Sequence, residues 1–184
     1  MFDQIPDITA QRAQLKPQAI AFRDLERGTQ LTYAELERNV RHIAGYLDAS
    51  GVEPGDRVSV LCRNRTEFFE LLFACGKLGA ILIPLNWRMP AGELAPLLED
   101  ATPKLLFYGS EDSGVALSLA APGRALVGFD EPGNGGYVAL RDSAEPERGR
   151  PMWPGDETWY LIYTSGTTGK PKAVIQTPGM AFAN

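Results

Sequence analysis

Between Arg57 and Phe129 the chain alternates short apolar runs with amphipathic stretches, and this alternation limits its fold more than any other feature. Arg57–Cys62 (RVSVLC), Ala80–Leu85 (AILIPL), Lys104–Tyr108 (KLLFY) and Ala125–Phe129 (ALVGF) read as strands. Phe68, Leu71, Leu72 and Cys75 share one face of an intervening helix, with Asn64-x-x-Glu67 as its expected cap and Gly79 as its end. Leu94, Leu97 and Leu98 mark a second helix after Pro90, in which Pro96 is expected to force a kink or a later start. Ser113–Ala120 supplies a third. Units of roughly 20–25 residues are the period of βαβ crossovers. The expected fold is therefore α/β, with parallel βαβ layers and helices on both faces of the sheet.

Upstream, Thr32-x-x-Glu35 forms a capping box, and Leu36, Val40, Ile43, Ala44 and Leu47 follow at helical spacing until Gly51. Glu53-Pro54-Gly55-Asp56 is a turn. The segment 131–156 breaks the rhythm. Gly, Pro, Glu and Arg dominate it, and it reads as a long surface loop with at most one short strand around Tyr137–Leu140.

Charge and residue usage exclude several classes of function. Eighteen Lys and Arg against 23 Asp and Glu leave a formal charge of −5, which argues against nucleic-acid binding through basic patches. No apolar run approaches the roughly 20 residues of a membrane span. The start, MFDQIPDITA, shows neither the basic nor the apolar region of a secretory signal, so a cytoplasmic setting is expected. Cys62 and Cys75 read as buried free thiols, and with one histidine and no CxxC a Cys/His metal site is set aside. His42 lies off the apolar stripe of its helix and reads as a solvated surface residue.

The chemistry is concentrated in Thr158–Gln176, TWYLIYTSGTTGKPKAVIQ. An apolar strand, Trp159–Tyr163, runs into Thr164–Lys172, and a β-branched run, Ala173–Gln176, follows. The nine-residue loop holds four hydroxyls, two glycines and two lysines. Such a loop could be a solvated turn, but it is longer than the usual 2–5 residues of a hairpin connection. Glycines let backbone N–H groups face a ligand, hydroxyls add donors or ligate a metal, and lysine adds charge, so the loop reads as a cradle for a polyphosphate. It is not a Walker A loop: only two residues separate Gly166 from Gly169, Pro171 follows Lys170, and a strand rather than a helix comes next. No Gly-x-Gly-x-x-Gly follows the early strands, and Tyr163 stands where a Gly-x-Ser-x-Gly elbow needs glycine.

The string YTSGTTGKPKAV (Tyr163–Val174) resembles the phosphate-binding signature of the adenylate-forming superfamily, which includes acyl-CoA synthetases, aryl-CoA ligases, luciferases and peptide-synthetase adenylation domains. LTYAEL (Leu31–Leu36), GVEPGDRVSVL (Gly51–Leu61) and GKLGAILIPLN (Gly76–Asn86) are similar to further stretches of that family, so the resemblance runs from about Ala19 to Ile175. Asn86-Trp87, where peptide-synthetase domains tend to have Asp-Pro, points toward fatty-acyl or aryl-CoA ligases; Trp87 and Arg88 are not assigned to the site. Many relatives carry Thr-His where this chain has Thr177-Pro178, a departure that bears on the acyl pocket.

The resemblance implies two half-reactions. A carboxylate attacks the α-phosphate of ATP to give acyl-adenylate and pyrophosphate, and the thiol of coenzyme A then takes the acyl group. Thr164, Ser165, Gly166, Thr167, Thr168 and Gly169 would hold the β- and γ-phosphates, Lys170 and Lys172 would add charge, and Thr167 would contact Mg²⁺. Further catalytic residues are expected downstream of Asn184. Residues 1–184 thus read as the N-terminal portion of an adenylation domain, inactive alone and self-associating through uncovered apolar surface such as Phe69, Leu72 and Val174. Two other readings stay open: a non-catalytic nucleotide-binding or interaction fragment, and an adenylation domain that loads a carrier protein.

Overall fold

The computed structural model describes residues 3–164 and 171–183. In chain order the elements are β1 (Gln4–Pro6), α1 (Ile8–Leu15), β2 (Ile20–Asp24), β3 (Thr29–Thr32), α2 (Tyr33–Ala49), β4 (Arg57–Leu61), α3 (Thr66–Leu78), β5 (Ile81–Leu85), α4 (Ala91–Ala101), β6 (Leu105–Tyr108), α5 (Ser113–Ser118), β7 (Ala125–Gly128), α6 (Tyr137–Ser143), β8 (Met152–Pro154), β9 (Tyr160–Thr164), β10 (Lys172–Gln176) and α7 (Pro178–Ala183).

Six strands form the main sheet in the order β10-β9-β5-β4-β6-β7. Neighbours from β9 to β7 run parallel, and β10 closes one edge antiparallel to β9. Side chains alternate between two apolar layers. Val58, Val60, Leu82, Leu105, Phe107 and Val127 face α2, α3 and α6. Leu61, Ile83, Leu85, Leu106 and Tyr108 face α4 and α5. Around β4, β5 and β6 both faces are covered, which is why these strands read as nearly continuous apolar runs, whereas Ile162 of β9 and Val174 and Ile175 of β10 are exposed. The polar exception, the buried Ser59, donates to Leu105 O at 2.9 Å. Two small antiparallel sheets, β1-β8 and the β2-β3 hairpin, pack outside this frame.

The capping box forms as the sequence predicts: Thr32 Oγ1 accepts from Glu35 N at 3.2 Å, and Glu35 Oε2 accepts from Thr32 N at 2.8 Å. Gly79 ends α3 in the left-handed region at φ 74°. Four expectations need correction. Asn64 does not cap α3; Arg65 occupies the cap position in extended backbone, and its guanidinium is committed to Glu67 and Asp130. Pro96 neither breaks α4 nor delays its start, because the helix runs from Ala91 through it with the ring on the exposed side. Tyr137–Leu140 is helical, not extended, since a buried tertiary contact from Tyr137 to Glu70 anchors α6. His42 is half-buried, its Nδ1 lying 2.8 Å from Ala144 O.

Segment 131–156 is also more than a surface loop, because β8 carries the fully buried Trp153 onto Gly76. Phe69 and Leu72 are half-buried, and Phe69 stacks on Phe22 of β2 with ring centroids 4.5 Å apart. Cys62 and Cys75 are free thiols, Cys75 buried and Cys62 half-buried. Among the described residues no helix is long and apolar enough to cross a membrane.

Candidate functional site

Parallel strands deliver all their carboxyl ends to one edge, and the loops that follow are the natural place for ligands in an open α/β sheet. Here β4, β5, β6, β7 and β9 end together at that edge. From β4 the chain passes to the face of the sheet covered by α3; from β5 it passes to the opposite face, covered by α4. A crevice opens where neighbouring connections part in this way. A cavity of about 450 Å³ lies there, lined by Cys62, Arg63, Phe68, Phe69, Leu85 and Trp87, among others.

Two cations border the cavity's aromatic wall. The Arg63 and Arg88 guanidiniums lie 4.7 and 4.1 Å from the centroid of the Trp87 ring, within cation–π range. Burial pushes the Cys62 thiol up to about 12, with Arg65 pulling the other way, so this sulfur stays protonated near neutral pH and is no nucleophile. Beneath the rim, Arg65 makes a two-pronged bridge to Asp130 at 2.9 Å on each side and a second to Glu67 at 3.0 Å. Its guanidinium also stacks over Phe129 at 4.3 Å. Hydrogen bonding from Arg65, opposed by burial, holds the Asp130 carboxyl well below the usual carboxylate range. This part-buried cluster ties the chain after β4 to the chain after β7.

The hydroxyl- and glycine-rich loop leaves β9 at the same edge. Register pairs Thr164 with Lys172, Ile162 with Val174 and Tyr160 with Gln176, so the loop is the connection of an antiparallel hairpin, as its flanking strands predict. Of the sequence-predicted site residues, Thr164 and Lys172 sit opposite each other at its base, both exposed, with Thr164 Oγ1 donating to Lys172 O at 3.5 Å. Ser165, Gly166, Thr167, Thr168, Gly169 and Lys170 lie outside the described residues. One residue before the loop, Tyr163 donates to Asp100 Oδ2 at 2.6 Å, fastening the end of β9 to α4. Burial, then that bond, raises the Tyr163 phenol above its ordinary value. On the far side of β10, Thr177 Oγ1 accepts from Met180 N at 3.2 Å, and Pro178 opens α7 in the first-turn position that suits proline.

The loop's composition suits a metal-bound polyphosphate: neutral hydroxyls, backbone N–H groups and two lysines, with no carboxylate from Thr164 to Lys172. Among the described residues no group of three His, Cys, Asp or Glu side chains could hold a metal. Mg²⁺ commonly keeps several waters and takes few protein oxygens beside substrate phosphates. Sequence reasoning left Arg63 out and set Trp87 and Arg88 aside. Their signal is positional, since each lies within three residues of a strand's carboxyl end.

Three comparisons bear on this geometry. The chain is 40% identical over 168 residues to a feruloyl-CoA synthase of Amycolatopsis sp, covering 91% of this chain and 32% of that protein. It superposes on the inhibitor-bound N-terminal domain of FACL13 from Mycobacterium tuberculosis with a TM-score of 0.81 at 30% identity, covering 92% of this chain and 43% of that one. The o-succinylbenzoate CoA synthetase of Bacillus subtilis, in complex with ATP and a magnesium ion, gives a TM-score of 0.76 at 30% identity, covering 95% of this chain and 44% of that one. The chain spans about a third of the length of the curated relatives it matches. Residues 9–184 match the model of the AMP-binding enzyme family, and the chain belongs to that family.

Proposed function

We propose that this chain is part of an ATP-dependent ligase that activates a carboxylic acid as its acyl-adenylate and transfers the acyl group to coenzyme A. The observation that carries the reading is the hairpin β9-β10. Its strands end at Thr164 and begin again at Lys172 on the carboxyl edge of the parallel sheet, and the sequence between them is rich in hydroxyls, glycines and lysines. The similarity to a synthetase in complex with ATP and magnesium supports the nucleotide, and the likeness to a feruloyl-CoA synthase and an o-succinylbenzoate CoA synthetase supports the thiol. Residues 1–184 would form the N-terminal portion of the adenylation domain, a reading supported by the likeness to an N-terminal domain. Two free thiols favour a reducing, cytoplasmic setting.

In the first half-reaction the substrate carboxylate would attack the α-phosphorus of ATP in line, and the P–O bond to pyrophosphate would break with its electron pair on the departing oxygen. Positioning and charge neutralisation supply the catalysis in such a displacement. Thr164, Ser165, Thr167 and Thr168 would donate hydroxyl hydrogens to the β- and γ-phosphates, and Gly166 and Gly169 would let backbone N–H groups do the same. Lys170 and Lys172 would hold positive charge beside the leaving pyrophosphate. Bound Mg²⁺ would neutralise phosphate charge, with the Thr167 hydroxyl as one of its ligands. Tyr163, fixed to Asp100, would keep the base of the loop in place.

The test is carboxylate-dependent exchange of labelled pyrophosphate into ATP by the longer protein that carries this segment, across fatty and aryl acids. Exchange that needs one acid class and no thiol supports the proposal. ATP binding without exchange for any acid would favour a non-catalytic nucleotide-binding role. Acyl transfer to a carrier-protein thiol in place of coenzyme A would revise the acceptor.

A further inference from the structure

α4 ends with carboxylates where helix electrostatics disfavour them. Its last turn holds Glu99 and Asp100 and no basic residue, so both acids stand at the negative end of the helix dipole. Arg57, at the start of β4, supplies the missing cation: Nε donates to Ala101 O at 2.7 Å, and Nη2 donates to Thr102 O at 3.2 Å and to Thr102 Oγ1 at 2.5 Å. Thr102 lies in the left-handed region at φ 44°, the sole residue other than glycine to do so among the described residues, and its N–H donates to Leu98 O at 3.0 Å. A β-branched residue takes that conformation at a cost and keeps it where its neighbours over-determine it. The helix end is thus a fixed mount for Asp100. Asp100 is itself exposed, and what it holds is Tyr163, 63 positions on, whose half-buried ring packs on the apolar layer of α4 and whose hydroxyl donates to Oδ2 at 2.6 Å.

We infer that Asp100 is a positioning residue for the adenylation step, fixing through Tyr163 the strand end that delivers Thr164 to the polyphosphate of ATP. The inference rests on the function proposed above and adds to it a residue far from the loop in sequence. Alternation along β9 sends the Tyr163 side chain to the α4 face and that of Thr164 to the other. A ring packed along its length and held at its tip leaves the backbone of residues 163 and 164 little freedom to rotate about the strand axis. The pairs Tyr163↔Ala173 and Thr164↔Lys172 carry that constraint to the returning strand, so α4 sets the placement of Thr164 and Lys172 together. A carboxylate suits this task, since a charged acceptor makes a shorter and stronger bond with a hydroxyl than a neutral one. Asp100 acts through Tyr163 alone, and its loss would misplace the donors at the base of the loop, to which an in-line displacement is sensitive.

The test is a double-variant cycle in the longer protein that carries this segment, read on acid-dependent exchange of labelled pyrophosphate into ATP and, separately, on thioester formation from preformed acyl-adenylate. Asp100→Ala and Tyr163→Phe are each expected to lower kcat/KM for ATP in exchange about tenfold and to leave thioester formation unchanged. The two together are expected to cost no more than either alone, as residues acting through one bond do. Asp100→Asn, whose amide oxygen still accepts from the phenol, is expected to lose less than Asp100→Ala. Tyr163→Phe removes a single oxygen, so the cycle does not depend on a disruptive change. Given exchange by the wild type, three results would overturn the inference and leave the proposed function standing: unchanged kcat/KM in Tyr163→Phe, equal slowing of both half-reactions, or multiplicative losses in the double variant. A wild type without acid-dependent exchange would overturn the proposed function and this inference with it.

Discussion

Tyr137 donates its hydroxyl hydrogen to the buried carboxylate of Glu70 at 2.6 Å, a bond that helps tie α6 to α3 across 67 positions of sequence. The other carboxylate oxygen of Glu70 accepts from Asn39 Nδ2 at 2.8 Å, and Arg141 stands 3.5 Å away. A buried acid is tolerated when its lone pairs are met in this way. Tyr137→Phe keeps the ring and removes one donor, leaving part of a buried carboxylate unmet at a cost of about 1–3 kcal/mol. Urea denaturation should show the unfolding free energy fall by that amount, with a lower midpoint at unchanged slope. An unchanged midpoint would mean that Asn39 and Arg141 satisfy Glu70 without it.

A Cβ at Gly76 would fall inside the van der Waals envelope of the Trp153 ring, which is fully buried. The indole has no free space to swing into, so Gly76→Ala is expected to destabilise the fold by about 1–3 kcal/mol, the range for overpacking. Gly92, in α4, faces open space, and Gly92→Ala is expected to be neutral or to stabilise by up to about 1 kcal/mol through helix propensity. Thermal unfolding of the two variants side by side measures the contrast.

Lys77 is fully buried and meets two carboxylates, Asp7 and Glu37, the second at 3.0 Å. Thr9 joins them, its hydroxyl 2.6 Å from Glu37 and 3.1 Å from Asp7. Lys77→Met would strand two neighbouring acids without their cation, and breaking a buried pair from one side costs about 3–5 kcal/mol. The triple variant Lys77→Met, Asp7→Asn, Glu37→Gln is expected to recover part of the loss. No recovery in equilibrium denaturation would place the cost in packing rather than charge.

Asp130 gives a pH dependence of definite sign. Arg65 depresses its folded pKa, while the unfolded carboxyl titrates near about 3.9. A depressed pKa stabilises the folded state above the unfolded value, and that contribution is lost as pH falls toward the folded one. Between about pH 5 and pH 2 the wild type should therefore lose stability more steeply than Asp130→Asn. Parallel stability curves for the two proteins would contradict the assignment.

The strands of the central sheet were legible because burial on both faces leaves nearly continuous apolar runs such as Leu105–Tyr108. The hairpin nature of the loop was legible from Pro171 and the β-branched Val174 and Ile175, which exclude a helix after the lysines. What escaped depends on contacts distant in sequence. α6 is a seven-residue helix whose sole fully buried side chain, Tyr137, answers to Glu70, and local pattern carries no trace of that. Arg65 looks like an ordinary surface residue until Asp130, 65 positions on, arrives beside it. The crevice is built from loops after β4 and β5, and only the parallel pairing of those strands brings Arg63 to Trp87.

The two half-reactions of the longer ligase bearing Thr167→Ala give the most direct measurement. Adenylation is followed by acid-dependent pyrophosphate exchange, and thioester formation is followed separately from preformed acyl-adenylate. If Thr164–Lys172 cradles the pyrophosphate and Thr167 meets its metal, adenylation should slow on the order of 10²-fold. Thioester formation should be nearly unchanged, because pyrophosphate has already left. Equal slowing of both steps would contradict that role and make the loop a structural connection between β9 and β10.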